Sequence, residues 1–511
     1  MNYADLFRVT LPETVLEIAA LLVLVVDLAF LRKAAVRVRA ASASILGIGG
    51  CAGAFLATLG QGTLSFCATG SPDTALLSTG GLIAVAQSGI LVLTALTLLL
   101  LIDSPFTRHP GEYVAVALMS SIGGLVISGA QDLLVIFIGL ELLSLGLYIL
   151  TAFAKFSGRS AEAALKYYLF GGMSAAFLLF GFSYLYGLSG STNLHQVVHA
   201  SAVSIGSGSP LFYVALVLVA AGLGFKVAAV PFHLWAPDAY EGAPAPAAAF
   251  IASVSKVASF ALLIGVGTAI LHPLGEGELR HGLVLAHSGQ LPKYFGLQMP
   301  WSIILAILAA ASMLAGNLAA LAQTSVRRLL AYSAIAHAGY MLLALAYPTQ
   351  SPRSNEAVLY YILTYGLTTV GAFGVVGVVE RATGSDKLDA FLGLQKRNSL
   401  LAAVLLILLL SLAGIPPLVG FWAKFNLFAA VLSANAGVVP FALVALAVGM
   451  SAVSLYYYLQ VLKRVYVMPG PPGACCVDVH PVTAFVLALI AAAVLVMGCM
   501  PAALQNWIAG L

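Results

Sequence analysis

Residues 221–256 read AGLGFKVAAVPFHLWAPDAYEGAPAPAAAFIASVSK, and this stretch decides the fold. An apolar run carries Lys226 and is stopped by Pro231, and a short polar loop follows. A second apolar run then holds Lys256 well inside it. A lysine in the middle of a membrane-spanning helix costs roughly 2.5–3.5 kcal/mol on insertion scales, so both lysines indicate a function that repays this cost.

The composition of the chain indicates a membrane protein with many spans. Of 511 residues, 61% are hydrophobic and only 8% are charged, and the mean hydropathy is +1.02. Soluble domains carry about 25% charged residues. The apolar runs are about 20 residues long and lack the alternation of barrel strands, so we predict an all-α polytopic membrane protein. The net charge of +4 does not indicate nucleic-acid binding, because the basic residues lie mostly in short loops.

Fourteen apolar runs have the length of a transmembrane helix. They lie near residues 11–31, 42–60, 80–102, 112–128, 131–155, 162–188, 211–230, 246–270, 300–320, 328–347, 357–380, 399–433, 441–467 and 481–503. Alternating from the first loop, 16 of the 23 lysines and arginines fall on one side of the membrane and 3 fall within spans. The other side holds only Arg8, Arg280, Lys293 and Arg353. By the positive-inside rule the crowded side is cytoplasmic, so both termini are predicted to be periplasmic.

The middle of the chain is predicted to contain a duplication. Spans four to eight and nine to thirteen each form a block of five, and the fourth helix of each block contains glycine and proline, near Pro231 and near Pro417. The run 399–433 would be about 52 Å long as a straight helix, against a hydrocarbon core of about 30 Å, so it must break or tilt. We therefore predict two inverted five-helix repeats with discontinuous helices seven and twelve, where ion or substrate sites usually lie.

This duplication predicts four parts of the chain. Residues 1–110 hold three N-terminal helices, 111–271 the first repeat, 299–467 the second repeat, and 468–511 a loop with a final helix. The lysines of the two interrupted helices are not placed alike. Lys226 precedes Pro231 by five residues, whereas Lys424 follows Pro417 by seven.

Four charged residues within the spans are the candidate functional site. Glu141 lies nine residues after Asp132, and Lys226, Lys256 and Lys424 are the 3 basic residues inside spans. A desolvated lysine can exchange its proton near neutral pH, while an approaching carboxylate makes it hold the proton more tightly. The four residues therefore form a candidate row of proton carriers. The alternative is one structural ion pair with two lysines in aqueous vestibules.

Two histidines are weaker candidates for the same role. His337 lies in the middle of a span and His233 lies beside the first interruption, and each is equally well explained as a hydrogen-bonded structural histidine. Glu162 and Lys166 are spaced i,i+4 where a helix begins, which predicts a local ion pair. The five cysteines include no C-x-x-C pair, so the sequence predicts neither a metal site nor an iron–sulfur cluster.

Several motifs together resemble the antiporter-like membrane subunits of respiratory complex I. They are VPFHLWAPDAYEGAPAP at 230–246, EAALKYYLFGG at 162–172, RRLLAYSAIAHAGYM at 327–341 and GIPPLVGFWAKF at 414–425. The likeness covers about residues 80–470. Two features favour the N type of these subunits in bacterial NADH:quinone oxidoreductase: Lys424 stands where the M type would have a glutamate, and the long lateral helix of the L type does not follow span fourteen.

The resemblance implies a fold of fourteen helices and a proton-translocating role. Glu141, Lys226, Lys256 and Lys424 fall on what look like the key positions of the family. The resemblance also implies that the chain has no cofactor of its own, and that NADH, flavin, iron–sulfur clusters and quinone bind to other subunits. The partners it implies are other membrane-arm subunits, including the other antiporter-like ones, in the bacterial inner membrane.

Three alternatives differ from this hypothesis in function. The same fold could serve a multi-subunit cation/proton antiporter or a membrane-bound hydrogenase, and co-purifying chains would distinguish these complexes. Inverted repeats alone also fit a stand-alone secondary transporter, although the sequence shows no polar pocket for an organic substrate. A purely structural subunit is the last alternative, and three lysines with a glutamate in the middle of spans argue against it.

Overall fold

The computed structural model describes residues 3–67, 74–104, 106–206, 210–271, 295–348, 353–434, 437–470 and 476–510. The helices are α1 Tyr3–Val9, α2 Leu11–Val25, α3 Val36–Gln61, α4 Gly81–Leu101, α5 Pro110–Gly129, α6 Leu133–Thr151, α7 Gly158–Ser189, α8 Leu194–Gly206, α9 Pro210–Lys226, α10 Trp235–Gly242, α11 Ala245–Leu271, α12 Phe295–Leu321, α13 Val326–Ala346, α14 Arg353–Thr383, α15 Leu394–Arg397, α16 Ser399–Ala413, α17 Val419–Ala434, α18 Val438–Tyr466, α19 Pro481–Cys499 and α20 Pro501–Gly510. A π-helical turn, Val26–Phe30, continues α2. Strands β1 Ser65–Cys67 and β2 Ala75–Ser78 pair antiparallel, a hairpin that the all-α prediction missed.

The helices confirm a polytopic membrane protein but not the exact number of spans. In the described residues, 11 helices are long and apolar enough to cross a bilayer, or 12 if α1 and α2 are one span bent by 73°. The shorter apolar helices α9, α16 and α17 lie where spans seven and twelve were predicted. The number fourteen, the inverted relation of the two blocks and the division into four parts stay predictions. Arg280 and Lys293, two of the basic residues predicted to be periplasmic, lie outside the described residues.

Side chains that cap helices set several of the helix starts. Asp132 accepts hydrogen bonds from the backbone N–H groups of Leu134 and Val135 at the start of α6, at 2.9 and 3.4 Å. Asn398 accepts one from Leu401 N at 3.0 Å at the start of α16. Each cap satisfies a backbone donor that the first helical turn leaves without a partner, which contributes about 1 kcal/mol. The caps therefore fix where the site-bearing helices begin.

The centre of the molecule consists of three helices that are buried along nearly their whole length. These are α11, α13 and α14, whereas α7 and α18 expose most of their surface. Lys256 lies on α11 and His337 lies on α13, and both side chains are buried. In a bilayer the exposed apolar faces of the outer helices contact lipid or other subunits, so polar residues on the central helices must find partners within the protein.

The two apolar runs predicted to be discontinuous, spans seven and twelve, are both interrupted in the structure. Helix α9 ends at Lys226, and the short helix α10 separates it from α11. Helix α16 ends at Ala413 and α17 begins at Val419. Between them Gly414 has a φ of +87°, a left-handed conformation that favours glycine. Its N–H bonds the carbonyl oxygens of Leu410 and Ser411, so the chain turns sharply after α16.

Candidate functional site

Lys226 and Glu141 lie beside each other at the end of the first half-helix. Lys226 is the last residue of α9 and is 8% exposed. Its Nζ donates a hydrogen bond to Ser144 Oγ at 2.5 Å and lies 4.0 Å from Glu141 Oε1. Glu141 and Ser144 are three residues apart on α6 and so point to the same side of that helix. The structure thus brings together the predicted glutamate and the first predicted lysine.

Aromatic side chains hold the first interruption in place. The rings of Trp235 and Tyr167 stack in parallel with centroids 4.2 Å apart. The indole Nε1 of Trp235 donates to Phe225 O at 3.0 Å, next to Lys226. Indole N–H groups usually find such a partner when buried. The tryptophan therefore fixes the end of α9 relative to α7 and α10.

Lys256 connects the first interruption to the second block. Its side chain is 1% exposed, and its Nζ donates to Val227 O at 2.7 Å and to Ala334 O at 3.4 Å. Val227 is the first residue after α9, where backbone carbonyl groups have lost their helical partners. These carbonyl dipoles solvate the amine in place of water. Lys256 therefore lies between the end of α9 and helix α13.

His337 lies at the junction of α13, α14 and α18. It is 3% exposed, and its Nδ1 is 2.7 Å from the hydroxyl of Tyr361 while its Nε2 is 3.3 Å from that of Tyr458. Tyr458 also hydrogen-bonds Ser333. A neutral imidazole donates through one nitrogen and accepts through the other, so both hydroxyl groups can be satisfied at once. Such a group can exchange which nitrogen carries the proton.

Lys424 lies at the second interruption without a carboxylate partner among the described residues. It is 6% exposed, and its Nζ donates to Ala413 O at 2.9 Å and to Ser451 Oγ at 2.7 Å. The same nitrogen is 5.5 Å from the ring centroid of Tyr340, within the range of a cation–π contact. A Cβ atom at Gly414 would lie 2.9 Å from Lys424 Cδ, so the glycine also makes room for the lysine.

His233 does not join this row. It is half-buried beside α10, and its Nδ1 is buried with no hydrogen-bond partner. No hydrogen bond or ion pair between His233 and the three lysines is present in the part of the chain that the structure describes. His337 is closer to the row, because Ala334, one helical turn before it, accepts a hydrogen bond from Lys256.

The structure adds hydroxyl and amide side chains that the sequence analysis did not select. Ser144 and Ser451 bind lysine amines, and Asn317 accepts from the Tyr457 hydroxyl at 3.1 Å and donates to that of Tyr340 at 3.1 Å. Buried polar groups almost always have hydrogen-bond partners. A search for hydroxyl-bearing residues inside apolar runs would have found these positions, but it would also have selected many serines that bond only their own helix.

An ion-pair network joins the segment after the first interruption to the second block. Lys166 Nζ lies 2.8 Å from Glu162 and 2.9 Å from Asp238, so the predicted local pair is only part of a larger network. Arg328 contacts Asp238 at 2.6 Å and Glu241 at 3.0 Å. Burial of the Asp238 carboxyl acts to raise its pKa, but hydrogen bonds from Lys166 and Arg328 outweigh this, and the pKa lies below its ordinary value. Helices α7, α10 and α13 are thereby tied together.

The sequence of this chain matches a known protein family. The family model described as "NADH:quinone oxidoreductase/Mrp antiporter, TM" matches residues 130–273 and 284–451. These ranges contain Glu141, the three buried lysines and His337. The predicted resemblance to the antiporter-like subunits is therefore confirmed.

Individual relatives agree with this family match. A protein of Acidobacterium capsulatum named NADH-quinone oxidoreductase subunit N 2 is 46% identical over 99% of both chains. One of Roseiflexus castenholzii, named subunit N 1 of the same enzyme, is 40% identical over 87% of this chain and 82% of its own. Among solved structures, a chain of respiratory complex I from Thermus thermophilus is 31% identical, with a TM-score of 0.74 over 97% of this chain and 98% of its own.

A more distant structure shows the same fold. A chain of the Mrp complex from a Dietzia strain has a TM-score of 0.77 at 19% identity, over 99% of this chain and 96% of its own. At that identity the likeness concerns the fold alone. With a family model that matches more than half of its residues, the chain belongs to the NADH:quinone oxidoreductase/Mrp antiporter family of membrane proteins.

Proposed function

We infer that this chain is a proton-translocating membrane subunit of an NADH:quinone oxidoreductase of the complex I type, similar to subunit N of the bacterial enzymes. Protons move along a row of Glu141, Lys226, Lys256 and Lys424, with His337 beside it. Quinone reduction in another part of the complex drives this movement. The relatives above that share 40% and 46% identity carry the name of that enzyme and support the assignment.

The observation that carries the proposal is the placement of three buried amines at helix interruptions. Lys256 and Lys424 each donate to a backbone carbonyl that an interrupted helix leaves free, and Lys226 ends the first half-helix. Carbonyl and hydroxyl dipoles stabilise an ammonium group without neutralising it, so the proton can still leave. A group meant only for structure would be paired permanently, because an unpaired buried charge is costly.

Control of the first proton transfer is assigned to the Glu141–Lys226 pair. Their atoms are 4.0 Å apart, longer than a hydrogen bond, while Ser144 holds the amine at 2.5 Å. A small approach of the carboxylate stabilises the protonated amine, and a retreat favours release of its proton. The released proton passes to Lys256, whose partner Val227 is the residue next to Lys226. Water bridges the steps that exceed hydrogen-bond distance.

The finer features of the proposal extend beyond the match to the family. They are fourteen spans in two inverted repeats, periplasmic termini, and a bacterial inner membrane as the location. The redox groups, namely NADH, flavin, iron–sulfur clusters and quinone, are assigned to other subunits, so the chain acts as a non-redox part of the translocase. Its partners are the other membrane-arm subunits, including other antiporter-like ones, and the surrounding lipid.

A second candidate is the same fold in another complex. The Mrp chain described above is 19% identical to this chain. This value is well below those of the subunit N relatives, which favours the complex I assignment. Identification of the chains that co-purify with this protein distinguishes the two candidates.

The proposal is tested by alanine variants of the first pair in the assembled enzyme. Lys226→Ala and Glu141→Ala should each lower proton transport and coupled quinone reduction by about tenfold, equal to about 1.4 kcal/mol of barrier. Lys463→Ala is the matched control, because Lys463 is exposed in the last turn of α18. Proton uptake into vesicles and quinone reduction are measured together. Full transport in both variants would exclude the proposed role.

A further inference from the structure

The outer edge of α2 carries two carboxylates that have no ion-pair partner in the described part of the chain. Glu13 and Glu17 lie one helical turn apart. The Oε2 atom of Glu13 is buried and has no hydrogen-bond partner, while Glu17 is exposed. Neither residue forms an ion pair within the described residues, and Arg8, the nearest basic residue in sequence, forms none either. We call Glu13, Glu17, Leu21 and Leu28 the α2 acid edge.

The position of Glu17 makes water an unsuitable partner. Together α2 and its π-helical turn span 20 residues, about 30 Å, and Glu17 lies six residues from the start, about 9 Å inside. Leu21 and Leu28 lie on the same side of the helix and are 58% and 51% exposed. A glutamate side chain is too short to reach the aqueous phase easily from this depth. Charged groups at such depth normally face protein or a water-filled cavity.

The third acidic residue of the same span shows what a satisfied carboxylate requires. Asp27 is 2% exposed and accepts two hydrogen bonds from Arg39, from Nε at 2.7 Å and from Nη2 at 2.6 Å. This two-pronged arginine contact is the strongest form of such a pair. Among the residues that the structure describes, Asp27 thus has a cation and the α2 acid edge has none. A basic side chain of a neighbouring subunit is a suitable partner for the exposed carboxylate of Glu17.

We propose that the α2 acid edge docks a transmembrane helix of a neighbouring subunit, which places a lysine, arginine or histidine at the depth of Glu17. The exposed leucines pack against the apolar face of that helix, and the cation pairs with the exposed carboxylate of Glu17. This interaction rests on the proposed assembly into a multi-subunit membrane complex. It is independent of the proton-carrying role of Lys226, Lys256 and Lys424.

The substitution Glu17→Leu separates docking from simple lipid exposure. If the edge faced lipid, removal of a charge would leave the complex unchanged or more stable. If it docks a basic helix, the variant should retain the neighbouring subunit about fivefold less well after detergent purification, a change that reflects about 1 kcal/mol. The intact complex is purified through this chain, and the retained subunits are quantified by mass spectrometry. Retention at the wild-type level of every subunit would overturn the proposal.

A photo-reactive amino acid at Leu21 provides the second measurement, and it does not depend on the stability of the variant. In the otherwise wild-type complex it should cross-link to one peptide of a neighbouring subunit that contains a basic residue within a span. In the Glu17→Leu background this product should fall about fivefold. A probe at Leu56, which is 69% exposed on α3, serves as control and should be unaffected by that background. Products with lipid only, or with a second copy of this chain, would overturn the proposal.

If the docking test fails while Lys226→Ala still lowers proton transport, only this inference falls. If Lys226→Ala transports protons normally while the cross-link forms, the docking surface stands and the proton-carrying row falls.

Discussion

The two helix interruptions hold their lysines in different ways. At the first, Lys226 is bound by Ser144 and faces the carboxylate of Glu141. At the second, Lys424 is bound by Ser451 and a backbone carbonyl, and no described carboxylate pairs with it. The first site therefore has a negative charge beside its lysine. At the second site, carbonyl and hydroxyl dipoles and the Tyr340 ring surround the amine.

The two lysines lie on opposite sides of their prolines, and their amines meet different groups. The C-terminal end of a half-helix carries negative partial charge and free carbonyl groups. Lys226 is the last residue of α9, but its amine donates to Ser144 on α6. Lys424 lies on α17 and reaches back to Ala413, the last residue of α16. The free carbonyl group after the first half-helix is therefore bound by Lys256 at the first interruption and by Lys424 at the second.

Removal of Lys424, the lysine at the second interruption, should have the largest effect on proton transport. Lys424→Ala removes the amine and leaves Ala413 O without its donor, so we expect proton transport to fall by about tenfold or more. Ser451→Ala leaves the amine and the carbonyl contact in place and should reduce transport by less than about threefold, under 1 kcal/mol. Proton uptake into vesicles measures both. An equal loss in the two variants would mean that the serine, not the carbonyl group, holds the amine.

Gly414→Ala tests whether the turn itself positions Lys424. The added Cβ would lie 2.9 Å from Lys424 Cδ, so the amine must move from Ala413 O. We expect transport to fall by about fivefold while the complex still assembles. Part of any effect comes from the left-handed backbone, where alanine costs about 1–2 kcal/mol.

Gly384→Ala is the matched control for that backbone cost. Gly384 has a φ of +73°, but its Cβ would meet no atom within 4 Å. Its variant should lower thermal stability to a similar extent without slowing transport. If both glycine variants slow proton transport equally, the loss in Gly414→Ala comes from the backbone conformation and not from the close contact with Lys424.

The sequence predicted the membrane class and the charged residues because both depend on local composition. Long apolar runs predict transmembrane helices, and a lysine within such a run can be identified without knowing its contacts. It could not predict that Lys256 donates to Val227, because the free carbonyl exists only once the end of α9 is known. The partners of His337 come from α14 and α18, remote in sequence, and no periodicity links them.

The span count was the least predictable part of the fold. Length and hydropathy identify continuous helices well, but α9, α16 and α17 are each shorter than a normal span. Whether two short helices together cross the membrane once depends on how they pack, and the hydropathy of a stretch of sequence contains no information on packing. The same packing places Trp422 against the final long helix, where its Nε1 donates to Gly498 O at 2.9 Å. The second interruption is therefore braced by α19, whereas the first is braced within its own block by Trp235.

The smallest expected effect concerns the ion pairs that tie the first interruption to the second block. The pKa of Asp238 lies below its ordinary value: burial acts to raise it, but the hydrogen bonds from Lys166 and Arg328 outweigh that. A carboxyl with a lowered folded-state pKa stabilises the protein above its unfolded pKa, about 4, and loses this contribution as the pH falls through the folded value. Asp238→Asn should therefore cost about 1 kcal/mol at pH 7, since the pair is partly exposed.

The pH dependence separates this network from a general surface effect. The difference in thermal stability between the wild type and Asp238→Asn should stay constant from pH 7 down to about pH 5 and shrink as the pH falls below about 4. Glu162→Gln is the control, because Glu162 contacts the same Lys166 but its side chain is 66% exposed. It should change stability by less than about 0.5 kcal/mol at any of these pH values. Equal losses in both variants would show that Lys166, not the bridge from α10 to α13, carries the stabilisation.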